Sequence, residues 1–521
     1  MEQPRGWSWQ DRAEGSIRRG AALDPSVEPV DGIRAFPTAY LPQRLLITRA
    51  PDGETDLFDR EIRTLRDAAG SFGWNLEVER GDDEQQLIPG VAGFVRARLT
   101  TPDEPGQGES PVAPDAWRVL QRARRMSRST MPRTSLEHVL SIDPVGLNPF
   151  TRTNPFTRTN PFTRTNPVRG AGVGGSDDYL EPGRGARQPV TWLGPAPQRR
   201  PDPKRGRRAV VAVLDTGCGE HDWLPDDIVT RHIELDGMPV GLTDDADPER
   251  YPDLYGQLDG EIDAVAGHGT FIAGIIRQAA PDADILSVRV AGALGVVDEG
   301  TFLHSLAQVV ELLRRYRENP KTGHPIDVLN LSLGYYHETP VDGLFSRTLH
   351  DLLTAARELG CVVVCSAGND AIDRPSFPAS LWAWPGADNG IAPDEAAAHV
   401  SVGALNPSTH SLALFSNVGP WVRAYAPGAA VVSTSPAFLG GAQSATRADF
   451  DGLRRETLDP DDYRGGFAIW SGTSFAAPYV AGLVAARLGV VTASDVATVT
   501  DAAANAVESV LKALPDATLR V

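Results

Sequence analysis

The chain has 521 residues, more than one compact domain usually holds, and a formal net charge of −18. That acidic balance argues against nucleic acid as a partner, and the short basic run 204–208 is too small to reverse it. No stretch is apolar for long enough to span a membrane, and the opening residues lack the apolar core of a secretory signal. The three cysteines fit a reducing compartment, so cytoplasmic residence is expected.

In chain order, residues 1–40 read as a disordered N-terminal extension. Residues 41–147 then alternate between two periods. Strand-like runs at 44–47, 75–79, 93–99 and 138–142 are interrupted by helix-like runs at 57–69 and 115–126. The series β-α-β-β-α-β predicts a small ferredoxin-like α+β domain.

Residues 148–206 form the next segment. Asn148-Pro149-Phe150-Thr151-Arg152-Thr153 is repeated from Asn154 and Asn160 and begins again at Asn166. Proline in every repeat prevents a helix, and the repeats hold too little apolar surface to pack alone. With the glycine-rich stretch 170–175 and the proline-rich stretch 182–203, they predict an extended or disordered linker. The repeats could be a cleavable tether, a docking motif or a product of coding-repeat slippage, and composition alone does not choose.

From 207 to 521 the chain carries chemistry. Val213-Leu214-Asp215-Thr216-Gly217 closes an apolar run that reads as a buried parallel strand offering a carboxylate at its end. Gly267-His268-Gly269-Thr270 opens an apolar helix-like run. Ser471-Gly472-Thr473-Ser474-Phe475-Ala476-Ala477-Pro478 opens another, rich in small residues. A hydroxyl is a poor nucleophile near neutral pH; it needs an imidazole to take its proton and a buried carboxylate to fix the imidazole's tautomer. Asp215, His268 and Ser474 supply that set. The Ser474 amide, at a helix start, can donate to a developing oxyanion, and Asn369, where the strand-like segment 362–369 breaks into Gly-Asn, can donate from its side chain without adding charge.

These four motifs, in this order, resemble the subtilisin-like serine proteases, the subtilases of peptidase family S8, over about residues 207–505. The resemblance implies a parallel sheet with helices on both faces, Asp215, His268 and Ser474 as catalytic triad, and Asn369 in the oxyanion hole. Phe475 replaces the methionine often found after the serine, and Phe271 and Ile272 follow the His-Gly-Thr unit; neither change removes a reacting atom. The resemblance further implies that Gly295, Val296 and Val297 line one side of a substrate cleft and Ser332, Leu333 and Gly334 the other. Residues 377–379 resemble the segment lining the first specificity pocket, with an apparent insertion at 381–398. Subtilase propeptides resemble the small α+β unit in front and act as folding chaperone and inhibitor.

Strand-like and helix-like runs at 284–290, 301–317, 326–333 and 344–359 predict the same parallel sheet without the resemblance. The acidic clusters at 244–247 and 459–462 fall in apparent insertions, 236–266 and 439–467, and cannot be assigned as calcium sites by spacing. The chemistry requires no cofactor or metal. Cys361 and Cys365 read as small buried hydrophobes, and Cys218 as a structural thiol close to Asp215. The expectation is a cytoplasmic serine endopeptidase acting on proteins or peptides, with its own N-terminal domain as inhibitor. A silent peptide-binding module, and a protease whose N-terminal domain senses a partner, are the alternatives.

Overall fold

The computed structural model of the chain describes residues 20–49, 55–79, 88–102, 112–142, 179, 185–255, 261–339, 347–386, 391, 393, 396–438, 448–493 and 495–515. The repeats at 148–167 lie outside the described residues.

The front unit follows the expected series: β1 (Ala39–Thr48), α1 (Thr55–Gly70), β2 (Asn75–Val78), β3 (Phe94–Thr100), α2 (Ala116–Ser127) and β4 (Thr134–Ile142). Its strands pair antiparallel in the order β4-β1-β3-β2. Helix α2 starts where the Asp115 carboxylate accepts the Trp117 N–H at 2.9 Å. The two-residue period of β1 decides what each face meets. Leu45 and Ile47 pack with Leu65, Trp117 and Leu120 of the two helices. Leu46 faces the other way and joins a cluster with Leu306 and Leu333 of the following unit. The small sheet is therefore covered on both faces, once by its own helices and once by the rest of the protein.

Residues 20–40 depart from the expected disorder. Ala21 and Ala22 pair with Tyr40 and Ala39, Leu23 is buried, and the Val27 carbonyl accepts the Trp117 indole N–H at 2.9 Å. The apolar residues of this stretch find a groove on the α+β unit, which local composition does not reveal.

The linker expected through 206 is also shorter than its composition suggests. β5 (Gln188–Val190) pairs antiparallel with a later strand, β16, given below, and the Gly185 carbonyl accepts the Ser471 hydroxyl at 2.7 Å. The Arg187 guanidinium lies over the Trp470 ring at 4.8 Å, which fixes this stretch against β16.

The larger unit contains β6 (Val210–Asp215), β7 (Val229–Thr230), α3 (His268–Ala279), β8 (Asp284–Arg289), β9 (Val296–Asp298), α4 (Glu299–Glu318), β10 (Val328–Leu331), β11 (Leu333–Gly334), α5 (Arg347–Glu358), β12 (Val362–Ser366), β13 (His399–Leu405), β14 (Ala424–Pro427), β15 (Val431–Thr434), β16 (Phe467–Trp470), α6 (Thr473–Leu488) and α7 (Val496–Ala513). Seven of these strands form a sheet in the order β14-β13-β12-β10-β6-β8-β7, parallel at every pairing. Alternate residues of β6 divide two cores: Val211 and Val213 pack with Ile276, Val480 and Val507 from α3, α6 and α7, and Ala212 and Leu214 with Leu306 and Leu349 from α4 and α5. Helices on both faces explain why these strands read as continuous apolar runs.

Helices α3 and α6 touch through small residues. A Cβ built on Gly482 would lie 2.7 Å from the Cβ of Ala279. Because α3 begins at His268 and α6 carries Ser474 in its first turn, this contact fixes two functional side chains at once. Replacing Gly482 with Val is expected to cost about 1–3 kcal/mol, with the alanine variant milder, as read by denaturant unfolding.

Candidate active site

Asp215 ends β6, buried on both sides by neighbouring strands, so its carboxylate emerges at the carboxyl edge of the sheet. The next turn packs against the start of α3 more closely than any side chain would allow: a Cβ on Gly269 would lie 1.9 Å from the Gly217 carbonyl oxygen. That approach brings His268 onto Asp215. The His268 Nδ1 lies 2.7 Å from Asp215 Oδ1, which also accepts the Thr216 N–H at 2.8 Å. Where Nδ1 donates to this carboxylate, Nε2 is left as the ring nitrogen that can accept. Nε2 is buried and makes no hydrogen bond.

Around the ring stand Trp470, edge-on at 5.6 Å between centroids, and Phe475, tilted at 5.1 Å. Their apolar surface keeps water from the Asp215–His268 pair and strengthens it electrostatically. Phe475 thus fills space beside the ring where the resemblance expects a methionine.

Ser474 sits in the first turn of α6, behind Gly472. Its hydroxyl donates to the Ser332 carbonyl at 3.3 Å, and a hydrogen bond from Ser474 to His268 is not formed. The Ser332 hydroxyl in turn donates to the Ser474 carbonyl at 2.9 Å, tying β10 and β11 to the helix start. Asn369 follows β12, and its Oδ1 accepts the Thr473 N–H at 2.8 Å, which orients the amide beside Ser474. The described contacts therefore link all four expected residues: Asp215 to His268 directly, Asn369 to the residue before Ser474, and His268 to the residue after it.

Asn417 was not legible from the chain. It is fully buried and holds the Asn369 turn: its Oδ1 accepts the Asp370 and Ile372 N–H groups at 3.1 and 3.2 Å, and its Nδ2 donates to the Ala367 carbonyl at 2.9 Å. Nothing in the surrounding Phe415-Ser416-Asn417-Val418 marks it, because its partners lie some fifty positions away.

The expected cleft residues fall on two short strands that face each other, and the end of β4 lies between them. Val296, Val297 and Asp298 pair antiparallel with Ser141, Leu140 and Val139. Leu333 and Gly334 pair antiparallel with Ile142 and Ser141. The Gly295 carbonyl accepts the Ile142 N–H at 2.7 Å, and Ser332 provides the carbonyl that Ser474 touches. The two strands expected to line a cleft are thus already paired with an extended segment of the same chain.

The acidic clusters serve their own loops. Asp244 and Asp247 accept backbone N–H groups of Ala246 and Glu249 at 2.9 Å, Asp459 accepts that of Asp461 at 2.9 Å, and Asp462 pairs with Arg464. These carboxylates thus hold the turns of their own loops or pair with an arginine. Burial pushes the Cys218 thiol up to about 12, with the Arg231 guanidinium pulling the other way, so Cys218 is a poor nucleophile beside the site. Cys361 and Cys365 are buried.

The Subtilase family profile matches residues 206–514, more than half of the chain, and the chain belongs to that family. It is 28% identical to an intracellular serine protease of Paenibacillus polymyxa over 297 residues, which covers 54% of this chain and 67% of that protein. It is 28% identical to subtilisin-like protease 4 of Trichophyton tonsurans over 279 residues, covering 52% of this chain and 56% of the fungal protein. The chain thus spans little more than half the length of its fungal relative. Among solved structures it is similar to fervidolysin from Fervidobacterium pennivorans, a keratinolytic enzyme related to subtilisin, at 19% identity and a TM-score of 0.43, covering 88% of this chain and 55% of that one.

If Asp215 fixes the tautomer of His268, Asn at this position presents its amide to Nδ1 and favours the wrong ring form. Asp215→Asn is expected to slow fluorophosphonate labelling of Ser474 by about 10⁴-fold with the fold intact, as read by labelling kinetics beside circular dichroism.

Proposed function

We propose that this chain is a serine endopeptidase, acting on proteins or peptides through an acyl-enzyme and held inactive by its own N-terminal unit. Ser474 attacks the scissile carbonyl once its hydroxyl turns from Ser332 to His268 Nε2. His268 takes the proton and returns it to the leaving amine, and Asp215 stabilises the imidazolium that forms between the two steps. The Asn369 amide and the Ser474 N–H receive the oxyanion. Water then hydrolyses the ester by the same relay in reverse.

One observation carries the inhibitory part: the last strand of the α+β unit lies between Val296–Asp298 and Leu333–Gly334, where an extended substrate would pair. The β-α-β-β-α-β order of that unit supports its reading as propeptide-like. Residence in a reducing compartment is supported by the three unpaired cysteines. No helix among the described residues is long and apolar enough to cross a membrane.

A buried ionic contact supports the same docking. On β4, His138 places Nδ1 2.6 Å from Glu299 and Nε2 2.7 Å from Glu338, both carboxylates belonging to the larger unit. Burial alone would push this imidazole down, but the two carboxylates and the hydrogen bonds to them outweigh it and hold the ring at about 9. Arg96 reinforces the contact, donating to Glu137 at 3.0 Å on its own unit and to Asp298 at 2.8 Å across the interface.

The raised value gives docking a pH dependence of definite sign. Released, His138 titrates near its ordinary 6.5; docked, it titrates near 9. The contact therefore contributes fully below about 6.5 and is lost as pH rises through 9. His138→Gln in the full chain is expected to speed fluorophosphonate labelling of Ser474 by about 10-fold or more at pH 7. The ratio of variant to wild-type rates should fall toward one as the pH approaches 9.

The proposal as a whole is tested by probe labelling and intact mass. Wild type is expected to react with a fluorophosphonate after the N-terminal unit is released, and Ser474→Ala never to react. Absence of labelling in the released wild type would favour a non-catalytic peptide binder. A free N-terminal unit that does not slow labelling when added back would remove the inhibitory role.

A further inference from the structure

Glu249 belongs to a stretch that reads as an insertion, yet its carboxylate is buried directly behind the Asp215–His268 pair. Oε1 accepts the Thr216 hydroxyl and, at 3.0 Å, the Gly269 N–H. Oε2 accepts the Thr270 hydroxyl at 2.5 Å and the Thr270 N–H at 3.3 Å. Thr216 is the residue after Asp215, and Gly269 and Thr270 are the two after His268. Helix α3 has Gly267 at its N-cap, with no side-chain cap of its own. Glu249 thus satisfies first-turn N–H groups that the local sequence leaves open and ties them to the turn that carries the acid.

We propose that Glu249 is a positioning residue of the triad, clamping the Asp215 turn to the first turn of the His268 helix so that the imidazole stays on its carboxylate. This rests on the serine-endopeptidase reading for its consequence but not for its geometry. The clamp also bears on charge through Thr216. That hydroxyl has one proton and faces two carboxylates, Glu249 and, at 3.1 Å, Asp215 Oδ1, while the Gly269 N–H occupies one of its acceptor lobes at 2.8 Å. It can donate to only one carboxylate at a time. When Glu249 is protonated it donates to a neighbouring hydroxyl, and Thr216 is free to support the charge on Asp215. When Glu249 ionises it accepts the hydrogen bond of the Thr216 hydroxyl and sets a second negative charge beside Asp215.

The titratable and charged groups around Glu249 are Asp215, His268, Asp247 on its own loop and Cys218 after the Asp215 turn. The Arg289 side chain passes the same turn, but its guanidinium is committed to the carbonyls of Leu242, Asp244 and Ala246. Arg231 donates to the Cys218, Gly219 and Leu224 carbonyls. Burial pushes the Glu249 carboxyl up to about 8, against the pull of the hydrogen bonds from Thr216 and Thr270, with Asp247 and Asp215 adding to the rise. Below that pH a glutamine reproduces the neutral form; above it, it cannot.

The test follows the downfield proton magnetic resonance of His268 Nδ1–H in the full chain, and fluorophosphonate labelling of Ser474 in the released enzyme. Glu249→Ala is expected to broaden the ring-proton signal beyond detection and to slow labelling 10- to 100-fold per folded molecule. Glu249→Gln is expected to keep the signal and to label within threefold of wild type below pH 8, with the two rate profiles separating above about pH 8. A sharp ring-proton signal and near-wild-type labelling in Glu249→Ala would overturn the proposal. Should that variant fail to fold, Glu249→Met, of similar length and without a hydrogen-bonding oxygen, decides instead, and a sharp ring-proton signal with near-wild-type labelling in it would overturn the proposal equally. Failure of wild type itself to label would remove the endopeptidase reading, and the ring-proton signal would still decide whether the clamp exists.

Discussion

A hydrogen bond of 2.7 Å between two fully buried side chains, Asp215 and His268, sets the terms for the rest of the larger unit. Bringing a carboxylate and an imidazole out of water is costly unless each finds a partner in good geometry. The partners come from elements far apart in sequence, so the fold must deliver a strand end and a helix start to one point. The parallel sheet does this by ending β6 at the edge where α3 begins. The Gly217–Gly269 approach then removes the last few ångströms, because no side chain intervenes. Trp470 and Phe475 close over the ring and keep the pair dry.

The same requirement explains polar residues elsewhere in the core. Glu249 and Asn417 are both buried, and each satisfies backbone groups of a loop that carries a functional side chain. Each makes several hydrogen bonds, the condition under which a buried polar group is retained at little cost. Asp215, His268 and Ser474 stand at a strand end and two helix starts, and these two buried residues hold the adjoining backbone.

The α+β unit and the larger unit are joined by two kinds of contact that respond to different conditions. One is apolar and strand-like: Leu46, Leu140 and Ile142 enter the core that includes Leu306 and Leu333, while β4 pairs with β9 and β11. The other is ionic and buried, with His138 between Glu299 and Glu338. The apolar contact depends little on pH, and the His138 contact depends on the imidazole proton, while Arg96 adds an ion pair with Asp298.

The Asp215–His268 pairing, the placement of Ser474 and Asn369 near it, the parallel sheet and the β-α-β-β-α-β series were all legible in the chain, because each is written in local signals: apolar period, glycine at tight turns, and a polar residue at a fixed place in a motif. The ordering of residues 20–40 and of 185–206 was not, since proline and polar residues there look like linker until the groove and the strand edge that receive them exist. Nor were Glu249, Asn417 and the His138 contact, whose neighbours lie 20, 45 and 161 positions away or more. Sequence by itself determined which polar side chains the motifs carry and the order in which they come. Only tertiary structure decided what holds them in register and what lies in the cleft, because those contacts join residues whose nearness is a property of packing, not of the chain.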